Sequence, residues 1–198
     1  MDWHVALAAL SAILVLCAVV PYVRDIFYGT TRPSTITWFL WLFIQTIAIA
    51  AQFSEGASWS IVFVIADGLT IFAIFVLSVS GYGYGSLTKF DILCGFFGVL
   101  AIILWQVTGD AIIAIVFAMV ADTCAALPTI VKAYKDPWSE HAIAWGFTMT
   151  AGLVGLAATE RYDAANLLFP AYLAVVNGLI FFLAFFGQRR VKKVPISG

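Results

Sequence analysis

The run SIVFVIADGLTIFAIFVL, residues 60–77, decides the fold of this chain. Apart from Asp67 it carries no charge, and it is too long and too evenly apolar for a strand. A charged group near the centre of a bilayer costs about 2.5–3.5 kcal/mol on insertion scales, so a carboxyl there needs a reason. Further on, Val176-Asn177-Gly178-Leu179 repeats Ala66-Asp67-Gly68-Leu69 at an offset of 110, and Ile, Phe and Ala follow in both. A carboxylate and a carboxamide thus hold matching places, which reads as a polar site halfway across a membrane.

The rest of the chain fits that reading. Of its 198 residues 63% are hydrophobic and only 11% charged, with a mean hydropathy of +1.02. A soluble domain carries roughly 25% charged residues, so the shortfall alone points to a membrane. Seven segments approach the roughly 20 apolar residues that a spanning helix needs. They cover about 3–23, 34–53, 58–80, 89–108, 111–134, 141–158 and 164–187. Short breaks containing Gly, Pro, Ser and charges separate them. Ser34, after Pro33, reads as an N-cap, and Asp136 to Glu140 opens the sixth segment in the same way. No Lys or Arg precedes Arg24, so the first segment lacks the basic start of a signal peptide and is expected to be a retained helix.

In this seven-helix plan Arg24, Arg32, Lys89, Lys132, Lys135, Arg189, Arg190, Lys192 and Lys193 fall on one side, and Arg161 alone on the other. The positive-inside rule then predicts an N-terminus outside, a cytoplasmic C-terminus and a multi-pass protein of the cell (plasma or inner) membrane. The basic tail, 189–198, reads as a topology signal resting on anionic lipid. No nucleic-acid module is visible.

An internal repeat organises the helices. Cys17 to Pro21 matches Cys124 to Pro128 at an offset of 107, and Trp38 matches Trp145 at the same offset. With the Asp67 and Asn177 stretches these matches keep one order. The predicted fold class is therefore an all-α integral membrane protein with seven transmembrane helices. Residues 1–85 form a first three-helix repeat, 86–109 a linker helix and 110–188 a second, parallel repeat. That is a 3+1+3 plan of the parallel-repeat kind found in some transporters.

On these features the chain resembles the SWEET and PQ-loop superfamily of small-solute transporters. The resemblance covers nearly the whole chain in topology and short motifs in sequence. It implies an asparagine lining the central site on the third helix of each repeat. Asn177 stands at that position, and Asp67 replaces it in the first half. It also implies the prolines matched by Pro21 and Pro128, although Tyr22 and Thr129 follow them where the PQ-loop proteins have Gln.

Asp67 and Asp122 lie near mid-depth, where desolvation disfavours the ion, so either could load and release a proton. On the second helix Trp41 and Gln45, with Trp38, lie largely on one face, as an indole and amide grip on a sugar or heterocycle requires. Packing and an interfacial aromatic belt are the structural alternative. Trp145 and Thr148 form the corresponding set on the sixth helix. Pro21 and Pro128 each remove a backbone hydrogen bond to the residue four before, and are hinge candidates.

Other classes fare worse. Residues 164–187 contain no Lys, so a retinal Schiff base is excluded there. His4 and His141 sit at helix ends, no His-Glu motif occurs, and Cys17, Cys94 and Cys124 show no metal spacing, so neither enzyme chemistry, a metal nor a cofactor is expected. The expected function is transport or facilitation of a small polar solute, a sugar or similar metabolite, by alternating access, with proton coupling through Asp67. The alternatives are a seven-helix receptor or sensor and a structural membrane protein. The expected partners are the lipid bilayer and the solute, and a homo-oligomer is left open.

Overall fold

The computed structural model describes residues 2–29 and 32–190. Seven α-helices make up the fold: α1 Trp3–Phe27, α2 Thr35–Ser54, α3 Ile61–Leu77, α4 Lys89–Thr108, α5 Ala111–Lys135, α6 Ala142–Ala157 and α7 Ala164–Arg190. Six of them are long and apolar enough to cross a bilayer, α3 together with the π-helical turn Ser78–Tyr82 that extends it. The sixth segment forms only a 16-residue apolar helix, about 24 Å long at 1.5 Å per residue. A short turn at Pro137–Ser139 takes up the chain before it. The outward faces are apolar, with Phe72, Phe96, Ile103, Val175 and Phe182 exposed. Contiguous exposed apolar surface of this kind belongs against lipid. The chain is a multi-pass α-helical membrane protein.

The helix starts follow local chemistry. Asp2 accepts a hydrogen bond from the His4 amide, Ser34 from Thr37 and Asp110 from Ile112, while Thr88 and Asp91 form a reciprocal capping box before α4. Gly109, at φ 70°, lets α4 stop and α5 begin two residues later. Helices α1 and α5 run on through Pro21 and Pro128, and α7 through Pro170.

Alternating direction puts the N-terminus and residues 55–60, 109–110 and 158–163 at one face, here the N-terminal face. Residues 28–29, 32–34, 83–88 and 136–141 lie at the other, the C-terminal face. There the links before α2 and α4 are tied by Thr35 N–H to Tyr84 O (2.8 Å) and Tyr84 N–H to Pro33 O (3.0 Å). Arg189 and Arg190 end α7 at the same face, and Lys192 and Lys193 lie outside the described residues.

Packing follows a definite order. Helix α3 packs on both α1 and α2, which meet each other at most marginally, and α7 packs likewise on α5 and α6. Helix α1 also lies on α6 and α2 on α5, while α4 packs on α5 and, to a lesser extent, α2. The close approaches rest on small residues. On α5 Ala111, Ala114, Ala118, Ala121 and Ala125 are all buried at spacings of three and four, a smooth face for its neighbours. Between α3 and α6 the fully buried Phe63 ring fits against Gly152 and Gly155.

Candidate functional site

Asp67 stands near the middle of α3. The buried Gln45 of α2 donates from Nε2 to the Val64 carbonyl (2.8 Å) and to Asp67 Oδ2 (3.3 Å). Gly68 makes the reach possible: a Cβ there would stand 3.2 Å from Gln45 Cγ. The adjacency of Asp and Gly thus has a physical use. The glycine opens the helix surface that the amide crosses to meet the carboxyl.

Asp122, on α5, lies within electrostatic range of Asp67. It is buried and accepts a hydrogen bond from the Tyr172 hydroxyl of α7 at 2.9 Å. That hydroxyl is also 3.0 Å from Thr123 Oγ1, which donates to the Met119 carbonyl (2.7 Å). Among the described residues every Lys and Arg lies in a link or a terminal turn.

Asn177 is buried on α7, but its environment differs from that of Asp67. Gly152 stands where an offset of 107 from Gln45 falls, so no amide reaches across from α6. The Asn177 Nδ2 turns to its own helix and donates to the Leu173 carbonyl at 2.6 Å. Its acceptor oxygen is the function left over. Among the described residues no hydrogen bond joins Asn177 to Asp67 or Gln45.

The other expected residues fall into separate groups. Trp41 stacks edge-on to Trp38 (5.0 Å between centroids), which meets Tyr22 of α1 at 5.6 Å. Trp41 also packs on the cluster of Leu40, Cys94, Cys124 and Ala125. Trp145 donates to Glu140 Oε2 (3.1 Å), and the other oxygen of Glu140 pairs with Lys132 at 3.2 Å, which anchors that indole to the C-terminal face. Thr148 returns its hydroxyl to the Ala144 carbonyl (3.2 Å). The structure thus joins Asp67 with Gln45 and Asp122 with Tyr172, and leaves Trp41, Trp145 and Thr148 nearer the C-terminal face.

Sequence reading passed over two polar groups. Tyr172, the donor to Asp122, is 50 residues away from it and looks like any aromatic in an apolar run. The second group lies at the N-terminal face, where Asn166 of α7 meets the link before α3. Asn166 Oδ1 accepts from the Ser58 amide (2.6 Å), and its Nδ2 donates to Asp163 Oδ1 (2.8 Å) and the Gly56 carbonyl (3.4 Å). The only sequence signal for it was the Asp-x-x-Asn spacing at a helix start. Asp163 is held below the usual carboxylate range: desolvation pushes it up, but bonds from the Asn166 side chain and amide, and the Arg161 guanidinium, together outweigh that.

One gathering of metal-type ligands occurs among the described residues. Donor atoms of Asp2, His4 and Glu160 lie within 4.8 Å of one another. His4 Nδ1 contacts the Ala158 carbonyl (3.0 Å), and both carboxylates are exposed. Two apolar grooves also line the helix seams. One, of about 220 Å³, runs along α2 and α3 over Leu42, Thr46, Ile49, Gly68, Leu69 and Phe72. The other, of about 350 Å³, runs along α6 and α7 over Met149, Leu153, Leu156, Gly178, Leu179 and Phe182. Comparison with protein-family models, curated proteins and solved structures finds no match.

Proposed function

We propose that the chain is a transporter or facilitator of a small polar solute, built from two parallel three-helix repeats around a site between them. The repeats are residues 1–85 and 110–188, and α4, within 86–109, joins them. The observation that carries this reading is the packing pattern. Exchange α1 with α5, α2 with α6 and α3 with α7, and the contacts among these six helices map onto themselves. The grooves obey the same exchange: Leu42, Thr46 and Ile49 correspond to Met149, Leu153 and Leu156 at 107, and Gly68, Leu69 and Phe72 to Gly178, Leu179 and Phe182 at 110. These matches are positions in space, independent of the few sequence identities, and they support a 3+1+3 architecture like that of the SWEET and PQ-loop proteins.

A two-fold arrangement of parallel bundles suits alternating access, with rocking of one bundle against the other around a fixed midplane site. Asp67 breaks the symmetry of that site. A buried carboxyl bonded to Gln45 and, among the described residues, without a basic partner needs a proton or a cationic or donor-rich solute to balance it. Asp67 and Asp122 are accordingly the proton-coupling candidates, with Asn177 as the neutral counterpart. The excess of basic residues at the C-terminal face supports a cytoplasmic position for that face. A thermal-shift screen of the purified protein against sugars, nucleosides, vitamins and amino acids identifies the solute class. Uptake of the hit into proteoliposomes is then expected to depend on pH, and Asp67→Asn to flatten that dependence. Binding without uptake would point to a receptor, and an unchanged pH profile would remove proton coupling through Asp67.

A further inference from the structure

We propose that the α6–α7 seam holds an anionic phospholipid of the leaflet at the C-terminal face, with one acyl chain in the groove and the phosphate on Arg189 and Arg190. The site needs only that α7 crosses a bilayer, not that the chain carries a solute. From α7, Val175, Gly178, Leu179 and Phe182 line the groove. Phe186, Arg189 and Arg190 continue the same helix face at spacings of three and four. Val175, Leu179 and Phe182 are exposed, as a wall facing lipid must be, and both arginines are exposed beyond them.

The stripe is ordered by its own side chains. Phe182 and Phe186 stack nearly parallel, with 6.0 Å between centroids. The Arg189 guanidinium lies 4.2 Å from the Phe185 ring centroid, which holds the cation against the helix. Among the described residues no carboxylate pairs with Arg189 or Arg190. A guanidinium offers a planar fork of donors that matches phosphate. The depth also fits. Half of a hydrocarbon core of about 30 Å corresponds to about ten residues of helix at about 1.5 Å each. An acyl chain whose phosphate meets Arg189 therefore reaches the level of Leu179, inside the groove. There Gly178 leaves the α7 backbone bare beside Met149, since a Cβ would stand 3.0 Å from its Sδ. A thioether repacks readily against a chain of variable shape.

The α2–α3 groove shows what the basic end adds. Gly68, Leu69 and Phe72 line it where an offset of 110 puts Gly178, Leu179 and Phe182. At the same offset Arg189 and Arg190 fall on Val79 and Ser80. Two grooves with like apolar walls thus differ in the feature that reads charge. An acyl chain suits both, and the preference for an anionic head belongs to the α6–α7 seam.

The test is native mass spectrometry of the purified protein, titrated with phosphatidylglycerol or with phosphatidylcholine of the same acyl chains. Each arginine near an anionic lipid contributes roughly fivefold, so one site is expected to bind phosphatidylglycerol about tenfold or more tighter. Arg189→Gln combined with Arg190→Gln should remove that preference. Leu179→Trp, and separately Val175→Trp, put an indole into the groove from an exposed position and should weaken phosphatidylglycerol about tenfold. Leu69→Trp, the counterpart in the other groove, should leave the preference intact. Glycerol phosphate, a head group without a chain, should not displace the lipid. Gel filtration selects variants that remain monodisperse. Equal affinity for the two lipids, or a preference that survives loss of both arginines, would overturn the site. So would binding that neither groove variant weakens, equal weakening by Leu69→Trp, or displacement by glycerol phosphate, because the basic end would then act without the seam.

Discussion

Gly155→Ala tests whether α6 meets α3 as closely as the fold requires. A Cβ at 155 would lie 2.7 Å from Phe63 Cβ and 3.2 Å from Phe63 Cγ. These atoms are next to the α3 backbone, and the Phe63 ring is fully buried, so no flexible side-chain end can yield. Overpacking of this kind costs about 1–3 kcal/mol, and the near-backbone contact puts it toward the upper end. Replacing Gly by Ala inside a helix returns about 0.8–1.0 kcal/mol, which leaves a net loss of about 1–2 kcal/mol. At about 2–4 °C per kcal/mol for a chain of this size, the midpoint should fall by several degrees. The control is Gly95→Ala on α4, where the nearest atom to the new Cβ is Leu40 Cδ2 at 3.8 Å. It gains the same helix propensity without a clash and should raise the midpoint slightly. Thermal unfolding in detergent, followed by the fluorescence of the seven tryptophans, measures both. Phe63→Gly removes both clashing atoms, so combined with Gly155→Ala it should be less harmful than the sum of the single changes, with a coupling of about 0.5–3 kcal/mol. If Gly155→Ala matches Gly95→Ala, or the pair is additive, the packing of α6 on α3 through Phe63 is refuted.

Two further outcomes follow from the polar groups. Tyr172→Phe removes the hydroxyl donor to Asp122 and should cost about 1–3 kcal/mol in the same unfolding assay; in an Asp122→Asn background the cost should shrink, and equal costs would show that the bond contributes nothing. Asp163 has its carboxyl depressed in the folded state, so its contribution is present above the unfolded value of about 3.9 and is lost as pH falls through the lower folded value. The unfolding midpoint should therefore fall as pH drops below about 4, and Asp163→Asn should remove that part of the fall.

The helices were legible because each depends on short-range chemistry. Apolar length defines the spans, and Ser34, Thr88 and Asp110 mark starts through bonds to amides two or three residues away. Asp67 was legible as a candidate because an isolated carboxyl in an apolar run is costly wherever the run folds. Gln45 was legible only as a polar residue on a helix face. Tyr172 carried no signal at all, since its hydroxyl gains meaning only from an aspartate on another helix. Asn166 was hidden for the same reason, as Ser58 stands 108 residues away. Helix α6, Ala142–Ala157, keeps within one residue of the expected 141–158 at each end, a segment that is itself short for a span.

By itself the sequence determined that this is a multi-pass helical membrane protein, that Asp67-Gly68-Leu69 recurs as Asn177-Gly178-Leu179, and that the basic residues cluster in a few short stretches. Burial of apolar length and the cost of a charge in lipid act on each segment alone, so no partner is needed to read them. Only the tertiary structure decided that Gln45 crosses Gly68 to reach Asp67, that Tyr172 meets Asp122, and that Asn166 joins the bundles at one end. Each is a hydrogen bond between helices or links far apart in the chain. Its energy depends on tenths of an ångström that packing sets and no local pattern encodes.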